Sequence, residues 1–139
     1  MTTTCAVTCV TLDDGQRIRY PGAIFGIHFP LRVEPLIFTF AGSISRDYLG
    51  GYWEMFALCN GGFYMAPNGG GSFHVACENG YQDQLSADAL GITACLYAYS
   101  HLSFSSRLDF SETCARQYHL LRQLMLEHPE AEAILQATD

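Results

Sequence analysis

The segment that most constrains the fold is residues 52–67, which reads YWEMFALCNGGFYMAP. Two apolar, aromatic-rich runs flank the dipeptide Asn60-Gly61, and Asn-Gly readily adopts the positive φ angles of a type I′ two-residue turn. The segment therefore predicts a β-hairpin. From the turn outward, its cross-strand pairs would be Leu58 with Phe63, Ala57 with Tyr64, and Phe56 with Met65.

The hairpin has two faces that differ in composition. One face consists of large apolar side chains and must be buried, since cross-strand apolar pairs stabilise a sheet: Phe56, Leu58, Phe63 and Met65. The second face is also largely apolar, so we expect a helix or a partner protein to cover part of it: Trp53, Met55, Ala57 and Tyr64.

A second hairpin follows the first. Residues 72–77 alternate in polarity like a half-buried strand, and Asn79-Gly80 offers another type I′ turn into residues 81–85. The two hairpins together predict a four-stranded antiparallel meander over residues 52–85. The glycine run at 69–71 between them lacks the lysine and the strand-to-helix context of a phosphate-binding P-loop.

Helices are predicted on both sides of the meander. Apolar residues recur at three- and four-residue steps over 33–48. Ser86 is a candidate N-cap for a helix over 87–101, with Asp88 in its first turn and Gly91 placed for close packing on the sheet. Asp109 and Glu112 have capping-box spacing before a helix over 110–127. A last helical segment is expected near 129–137.

The N-terminal third of the chain has weaker patterns. Residues 1–12 are predicted to form a loose tail or an edge strand, residues 13–15 a turn, and residues 22–26 a short helical turn. A length of 139 residues is enough for one core. The sequence therefore predicts a single α+β domain, with the meander packed against three to four helices.

Three ordered segments resemble the ArdB/KlcA family of antirestriction proteins. They are NGGFYMAP at 60–67, LSADALGI at 85–92 and HPEAEAI at 128–134, and their spacing is similar to that of the family from about residue 20 to the end. The resemblance implies a small α+β protein, carried by plasmids, phages or genomic islands, that relieves type I restriction of incoming DNA. It brings no residue-level catalytic motif.

The charge distribution disfavours direct contact with nucleic acid. The net charge is −7 with no lysine, and residues 52–106 contain four acids and no arginine, so the sheet cannot neutralise phosphates. A globule of roughly 37 Å would also need about 22 negative charges to match B-DNA of that length. We therefore expect a compact binding inhibitor, whose partner is the type I restriction-modification complex or a host factor controlling it.

The catalytic residue types are present without a catalytic motif. Six Cys and five His occur, but there is no HExxH, GxSxG or paired-Cys signature, so no enzymatic activity, metal or cofactor is expected. The alternatives are a small enzyme with a Cys/His site and a generic protein-interaction module. No apolar run approaches about 20 residues and no basic leader precedes one, which predicts a cytoplasmic protein without membrane contact.

Candidate binding residues lie on or near the first hairpin, where aromatic anchors with a polar rim are typical of interfaces: Tyr52, Trp53, Glu54, Asn60, Tyr64 and Asp88. The alternative is that a helix buries Trp53 and Tyr64 in the core and that Asn60 is only a turn residue. His128 is expected to be a neighbour of a helix cap. Glu130 and Glu132 are expected on the solvated end of the chain.

Overall fold

The computed structural model describes residues 6–139 of the chain. This part contains five α-helices, a π-helical turn and five β-strands. In chain order they are β1 (Cys9–Thr11), α1 (Asp14–Phe25), the π-helical turn (Phe29–Val33), α2 (Glu34–Ile44), β2 (Trp53–Leu58), β3 (Phe63–Pro67), β4 (Ser72–Ala76), β5 (Gln82–Ser86), α3 (Ala87–Leu102), α4 (Leu108–Met125) and α5 (Ala131–Thr138). The predicted α+β class is confirmed.

The strands form two antiparallel sheets, not the single meander that the sequence predicted. One sheet has the order β1-β2-β3 and the other pairs β4 with β5. Helix α3 lies along the outer edge of β3, where Tyr99 Oη donates to the Phe63 carbonyl at 2.6 Å and Cys95 Sγ donates to the Met65 carbonyl at 3.6 Å. Because a helix already covers this edge, β4 cannot pair there.

Both hairpin turns contain one more residue than predicted. Leu58 N–H donates to the Gly62 carbonyl, and Cys77 N–H donates to the Tyr81 carbonyl, each at 2.9 Å. Within the described residues only glycines have positive φ, including 93° at the third residue of each loop, Gly61 and Gly80. The type I′ prediction is therefore wrong, and each loop is a three-residue connection that ends in a left-handed glycine.

The asparagine side chains explain this choice of turn. Asn60 Oδ1 accepts from Gly62 N–H at 2.9 Å, and Asn79 Oδ1 accepts from Tyr81 N–H at 3.0 Å. Such a bond to the backbone two residues ahead mimics a turn, so asparagine does not need positive φ itself.

The longer loop shifts the register of the first hairpin by one residue. Met55 pairs with Met65 and Phe56 with Tyr64, so the two predicted faces exchange members. Phe63 and Met65 share a face with Trp53 and Met55, and Tyr64 shares the other face with Phe56. Strand β3 is buried on both faces. The core covers one face, and on the other the Tyr64 ring stacks on Phe56 and its hydroxyl donates to Asp88 of α3.

Helix α1 is longer than the predicted turns at 13–15 and 22–26. Asp13 is its N-cap: Asp13 Oδ1 accepts from Gln16 N–H at 2.8 Å, and Gln16 Oε1 accepts from Asp13 N–H at 3.0 Å. This reciprocal pair is a capping box. The capping box predicted for α4 is absent, because that helix begins at Leu108 after Arg107, which makes no side-chain cap bond.

The other helices agree with the prediction within a few residues, except that α2 ends at Ile44 instead of residue 48 and follows the π-helical turn. Of the two alternatives for residues 1–12, the edge strand is the one observed, since β1 pairs with β2. Residues 1–5 lie outside the described part of the chain.

No single helix within residues 6–139 is long and apolar enough to cross a membrane. Only Asp14–Phe25 and Phe29–Ile44 taken together reach the required length and composition, with a bend of 92° between them.

Candidate functional site

The three segments that carry the family resemblance meet at one carboxylate. Tyr64, from the first segment, donates its hydroxyl to Asp88 Oδ1 at 2.7 Å. The other oxygen of Asp88, in the second segment, lies 2.8 Å from Nε2 of His128, in the third. Asp88 therefore joins β3, the first turn of α3 and the connection between α4 and α5.

The hydrogen bonds of His128 fix its tautomer. Glu130 N–H donates to His128 Nδ1 at 3.0 Å, so Nδ1 carries a lone pair and the ring proton is on Nε2. That Nε2–H donates to Asp88. Because both ring nitrogens are engaged, the imidazole orients the carboxylate and has no free nitrogen for a substrate proton.

A second carboxylate, that of Glu130, bonds to the start of α3. Ser86, the N-cap of α3, accepts from Ala89 N–H at 3.1 Å. It also donates its backbone N–H to Glu130 at 3.0 Å and its hydroxyl to the same carboxylate. Glu130 was predicted on the solvated end of the chain, which is wrong: Pro129 turns the chain so that this side chain reaches the start of α3. Glu132 is exposed.

These contacts set the protonation states of the network. Burial acts to raise the pKa of Asp88, but hydrogen bonds from His128 and Tyr64 outweigh it and leave the pKa below its ordinary value. Burial, reinforced by the charge of Asp88, raises the pKa of Tyr64. At neutral pH the network is therefore an ionised carboxylate that accepts hydrogen bonds from Tyr64 and His128.

The thiol beside this network is not activated. Cys9 Sγ lies 4.0 Å from Tyr64 Oη. Burial raises the pKa of Cys9, and the charge of Asp88 adds to the effect, so the thiol stays protonated. A nucleophilic cysteine requires the opposite shift.

A cavity of about 220 Å³ opens beside Asp88, whose side chain is 41% exposed. Glu54 places a second carboxylate on its wall, and the Phe56 ring, stacked on Tyr64 at 4.7 Å between centroids, forms an aromatic surface. The remaining lining residues are Ala66, Pro67, Asn68, Gly69 and Ala87. Two carboxylates and an aromatic ring suit a guanidinium or ammonium group.

The structure brings together three of the six predicted binding residues, Glu54, Tyr64 and Asp88. Trp53 lies elsewhere, in the core, with 3% of its surface exposed. Its Nε1–H donates to Tyr48 Oη at 3.1 Å, and the Phe38 ring of α2 packs edge-on at 5.2 Å. A helix thus covers the indole, as the alternative interpretation stated.

Tyr52 and Asn60 lie apart from the cavity. Tyr52 is 55% exposed, and the Arg17 guanidinium lies 4.7 Å above its ring. Asn60 is a turn residue whose Nδ2 donates to the Leu120 carbonyl and to Gln123 Oε1, each at 3.0 Å, so it anchors the hairpin to α4. A role of these six residues in binding stays a prediction.

Sequence reasoning missed how Ser86, His128 and Glu130 act together. Each was assigned a local role at a helix end or on the surface, although all three lie in the segments that carry the family resemblance. Their separation of more than 40 residues in sequence left no local pattern that could join them.

Comparisons with known proteins agree with this fold. The family model described as antirestriction protein matches residues 46–139. The chain is 34% identical over 135 residues to the antirestriction protein KlcA of Escherichia coli, which covers 96% of this chain and 95% of that relative. It is 37% identical over 137 residues to the uncharacterized protein YafX of E. coli K12, which covers 96% and 88%.

A solved structure superimposes over the whole chain. It comes from the KlcA and ArdB proteins, which are described as having a novel fold and antirestriction activity against type I DNA restriction systems in vivo but not in vitro. The TM-score is 0.90 at 35% identity, covering 100% of this chain and 99% of the other. On the family match and these full-length relatives, this chain belongs to the antirestriction protein family.

Proposed function

We propose that this protein relieves type I restriction of incoming unmodified DNA, and that it acts in the cytoplasm as a binding protein. In this proposal it is neither an enzyme nor a mimic of DNA. The observation that carries the binding mode is the cavity beside Asp88, where Glu54, Phe56 and Asp88 face solvent at the junction of the three family segments.

The total charge argues against imitation of DNA. The chain has 14 acids and seven arginines, for a net charge of −7. A duplex as long as this globule carries about 22 phosphates. The acids that the structure uses internally, such as Glu130 with Ser86, reduce the number available for imitation further.

The state of Cys9, Cys95, Cys114 and His128 argues against catalysis by these residues. Cys95 and Cys114 are buried, and burial raises the pKa of each thiol to about 12. Cys9 is held protonated by the same cause, and both nitrogens of His128 are engaged. A Cys/His enzyme needs a thiolate beside a free imidazole, and these residues do not supply that pair.

The partner is proposed from two observations. The chemistry of the cavity suits an arginine or lysine side chain on a protein surface. The relatives KlcA and ArdB are described as active in vivo but not in vitro, which favours a target that the living cell supplies over the isolated restriction enzyme. We therefore propose a host factor controlling the type I complex, or the complex in its cellular state.

Plating of unmodified phage on a restricting host tests the proposal. Glu54→Arg reverses charge in the cavity without removing a hydrogen bond of the Asp88 network, and Glu132→Arg makes the same change at an exposed site. We expect Glu54→Arg to lower the plating efficiency of unmodified phage roughly tenfold or more, because it reverses a charge that would pair with the partner. Glu132→Arg should protect like the parent.

Each other outcome refutes a different part of the proposal. No rise in plating with the parent protein refutes the antirestriction function. Full protection by folded Glu54→Arg refutes the cavity as the binding site, and equal loss in both variants assigns the effect to net charge. Loss of protection in folded Cys9→Ser or Cys59→Ser would favour the enzyme alternative.

A further inference from the structure

Two further cavities lie on a different part of the surface, between the end of α1, the π-helical turn and the α3–α4 loop. The first measures about 450 Å³ and is lined by Ile24, Phe25, His28, Arg107, Leu108, Asp109, Phe110 and Thr113. The second measures about 540 Å³ and is lined by Arg32, His101, Leu102, Phe104 and Ser105. None of these residues lines the cavity beside Asp88.

The two cavities are adjacent, because a cation that lines one lies against an aromatic ring that lines the other. The Arg32 guanidinium, from the second cavity, lies 5.9 Å above the ring of Phe110, which lines the first. The imidazole of His28 packs on the same ring at 4.4 Å between centroids. We call this surface the Arg32–Arg107 groove.

The groove reverses the charge of the rest of the protein. Arg32 and Arg107 are two of only seven cations in a chain of net charge −7, and Asp109 is the single acid among the lining residues. His28 and His101 add two imidazole rings to the lining. A surface that concentrates cations on an acidic protein selects a partner of opposite charge.

Large apolar side chains are exposed in and beside the groove. Phe104 is 86% exposed, Leu108 68%, and Leu31, which precedes Arg32, 68%. Exposed apolar groups bordered by arginine are characteristic of protein interfaces. Two permanent cations without lysine are few for a nucleic-acid site, where affinity grows with the number of phosphates neutralised.

We propose that the Arg32–Arg107 groove binds an acidic segment of another protein. An aromatic or aliphatic side chain of that segment enters beside Phe110 and Leu108, and flanking carboxylates pair with Arg32 and Arg107. This inference concerns a separate surface from the cavity beside Asp88, and its binding test is independent of phage protection.

Selection from a displayed library of random peptides tests the proposal, because short peptide segments commonly bind in grooves of this kind. The parent is compared with Arg32→Glu/Arg107→Glu and with Arg19→Glu/Arg46→Glu, a control of identical net charge. Arg107 caps α4 only through its backbone, and Arg19 and Arg46 are exposed and line neither cavity. All three proteins are first checked for equal unfolding midpoints.

We expect the parent to enrich peptides in which at least two acids flank an aromatic or large aliphatic residue. In fluorescence polarisation, Arg32→Glu/Arg107→Glu should weaken binding of such a peptide roughly tenfold or more, and the control by less than about twofold. Phe104→Ser should also weaken it, since an exposed aromatic supplies contact area.

Three outcomes overturn the proposal. One is the absence of enrichment by the parent over Arg32→Glu/Arg107→Glu. Another is enrichment of peptides without acids. The third is displacement of the selected peptide by a single-stranded oligonucleotide that binds more tightly, which would assign the groove to phosphates instead of carboxylates.

Discussion

Helix α3 approaches β3 closely at Gly91. A Cβ atom at this position would lie 2.4 Å from the Met65 carbonyl oxygen and 2.4 Å from the Ala66 Cβ. Real Cβ contacts are essentially never shorter than 3.0 Å, and two of the nearest atoms belong to the backbone of β3. Neither can move without displacing the strand or the helix.

These distances give the sign and the size of the effect of Gly91→Ala. Alanine would stabilise an isolated helix by about 1 kcal/mol relative to glycine. Overpacking of a rigid core typically costs about 1–3 kcal/mol, and sometimes more, and contact with backbone places this site at the upper end. We therefore expect a net destabilisation of about 2 kcal/mol and a decrease in melting temperature of about 6–10 °C.

Urea unfolding followed by the fluorescence of Trp53, the single tryptophan of the chain, measures this free energy. Gly22→Ala in α1 is the matched control, because a Cβ there meets nothing within 4 Å. The control should keep or raise the midpoint. An unchanged or higher midpoint for Gly91→Ala, with an unchanged denaturant slope, would refute the close approach of α3 to β3.

Three further predictions concern the turns, the network and the thiols. Asn60→Asp and Asn79→Asp keep the side-chain acceptor within each turn, but they lose the amide donors to α4 and to the end of α5. Each should therefore lower the free energy of unfolding by about 1–3 kcal/mol, and urea midpoints equal to that of the parent would refute this. Because the pKa of Asp88 lies below its ordinary value of 3.8, its contribution is complete above that pH and is lost as the pH falls through the folded pKa. The stability difference between the parent and Asp88→Asn should therefore shrink below about pH 4, and a difference that grows in acid would contradict the assignment. Hydrogen bonding from Thr8 N–H to exposed Cys59 lowers the pKa of that thiol, so mass spectrometry should find Cys59 alkylated fastest among the five cysteines that the structure describes; faster alkylation of buried Cys95 would refute it.

Much of the fold was predictable because local signals specify it. The Ser86 cap and the apolar run after it identified α3, and Gly91 indicated close packing against the sheet, which the contact with Ala66 and Met65 confirms. Both hairpins were also recognised. Their registers were wrong in detail, because the glycine of Asn-Gly also suits the left-handed last residue of a three-residue loop.

The division into two sheets could not be predicted from local pattern. Strand β4 has the alternation of a meander strand, but the edge of β3 is already occupied by Tyr99 and Cys95 of α3. These residues follow β3 by more than 20 positions, so no local pattern shows that a helix competes with β4 for this edge. The outcome depends on which packing satisfies the carbonyls of Phe63 and Met65, and only the tertiary structure shows that.

The candidate site was predictable in part for a related reason. Tyr64 and Asp88 were selected for residue type, whereas Ser86, His128 and Glu130 acquire their roles from contacts between distant segments. These contacts also separate two roles within one network. Asp88 bonds to Tyr64 and His128 and must affect stability, while the Glu54 side chain makes no hydrogen bond among those described and lines the cavity. A loss of function at Glu54 in a protein of unchanged stability would therefore report on binding, whereas a loss at Asp88 would combine binding with folding.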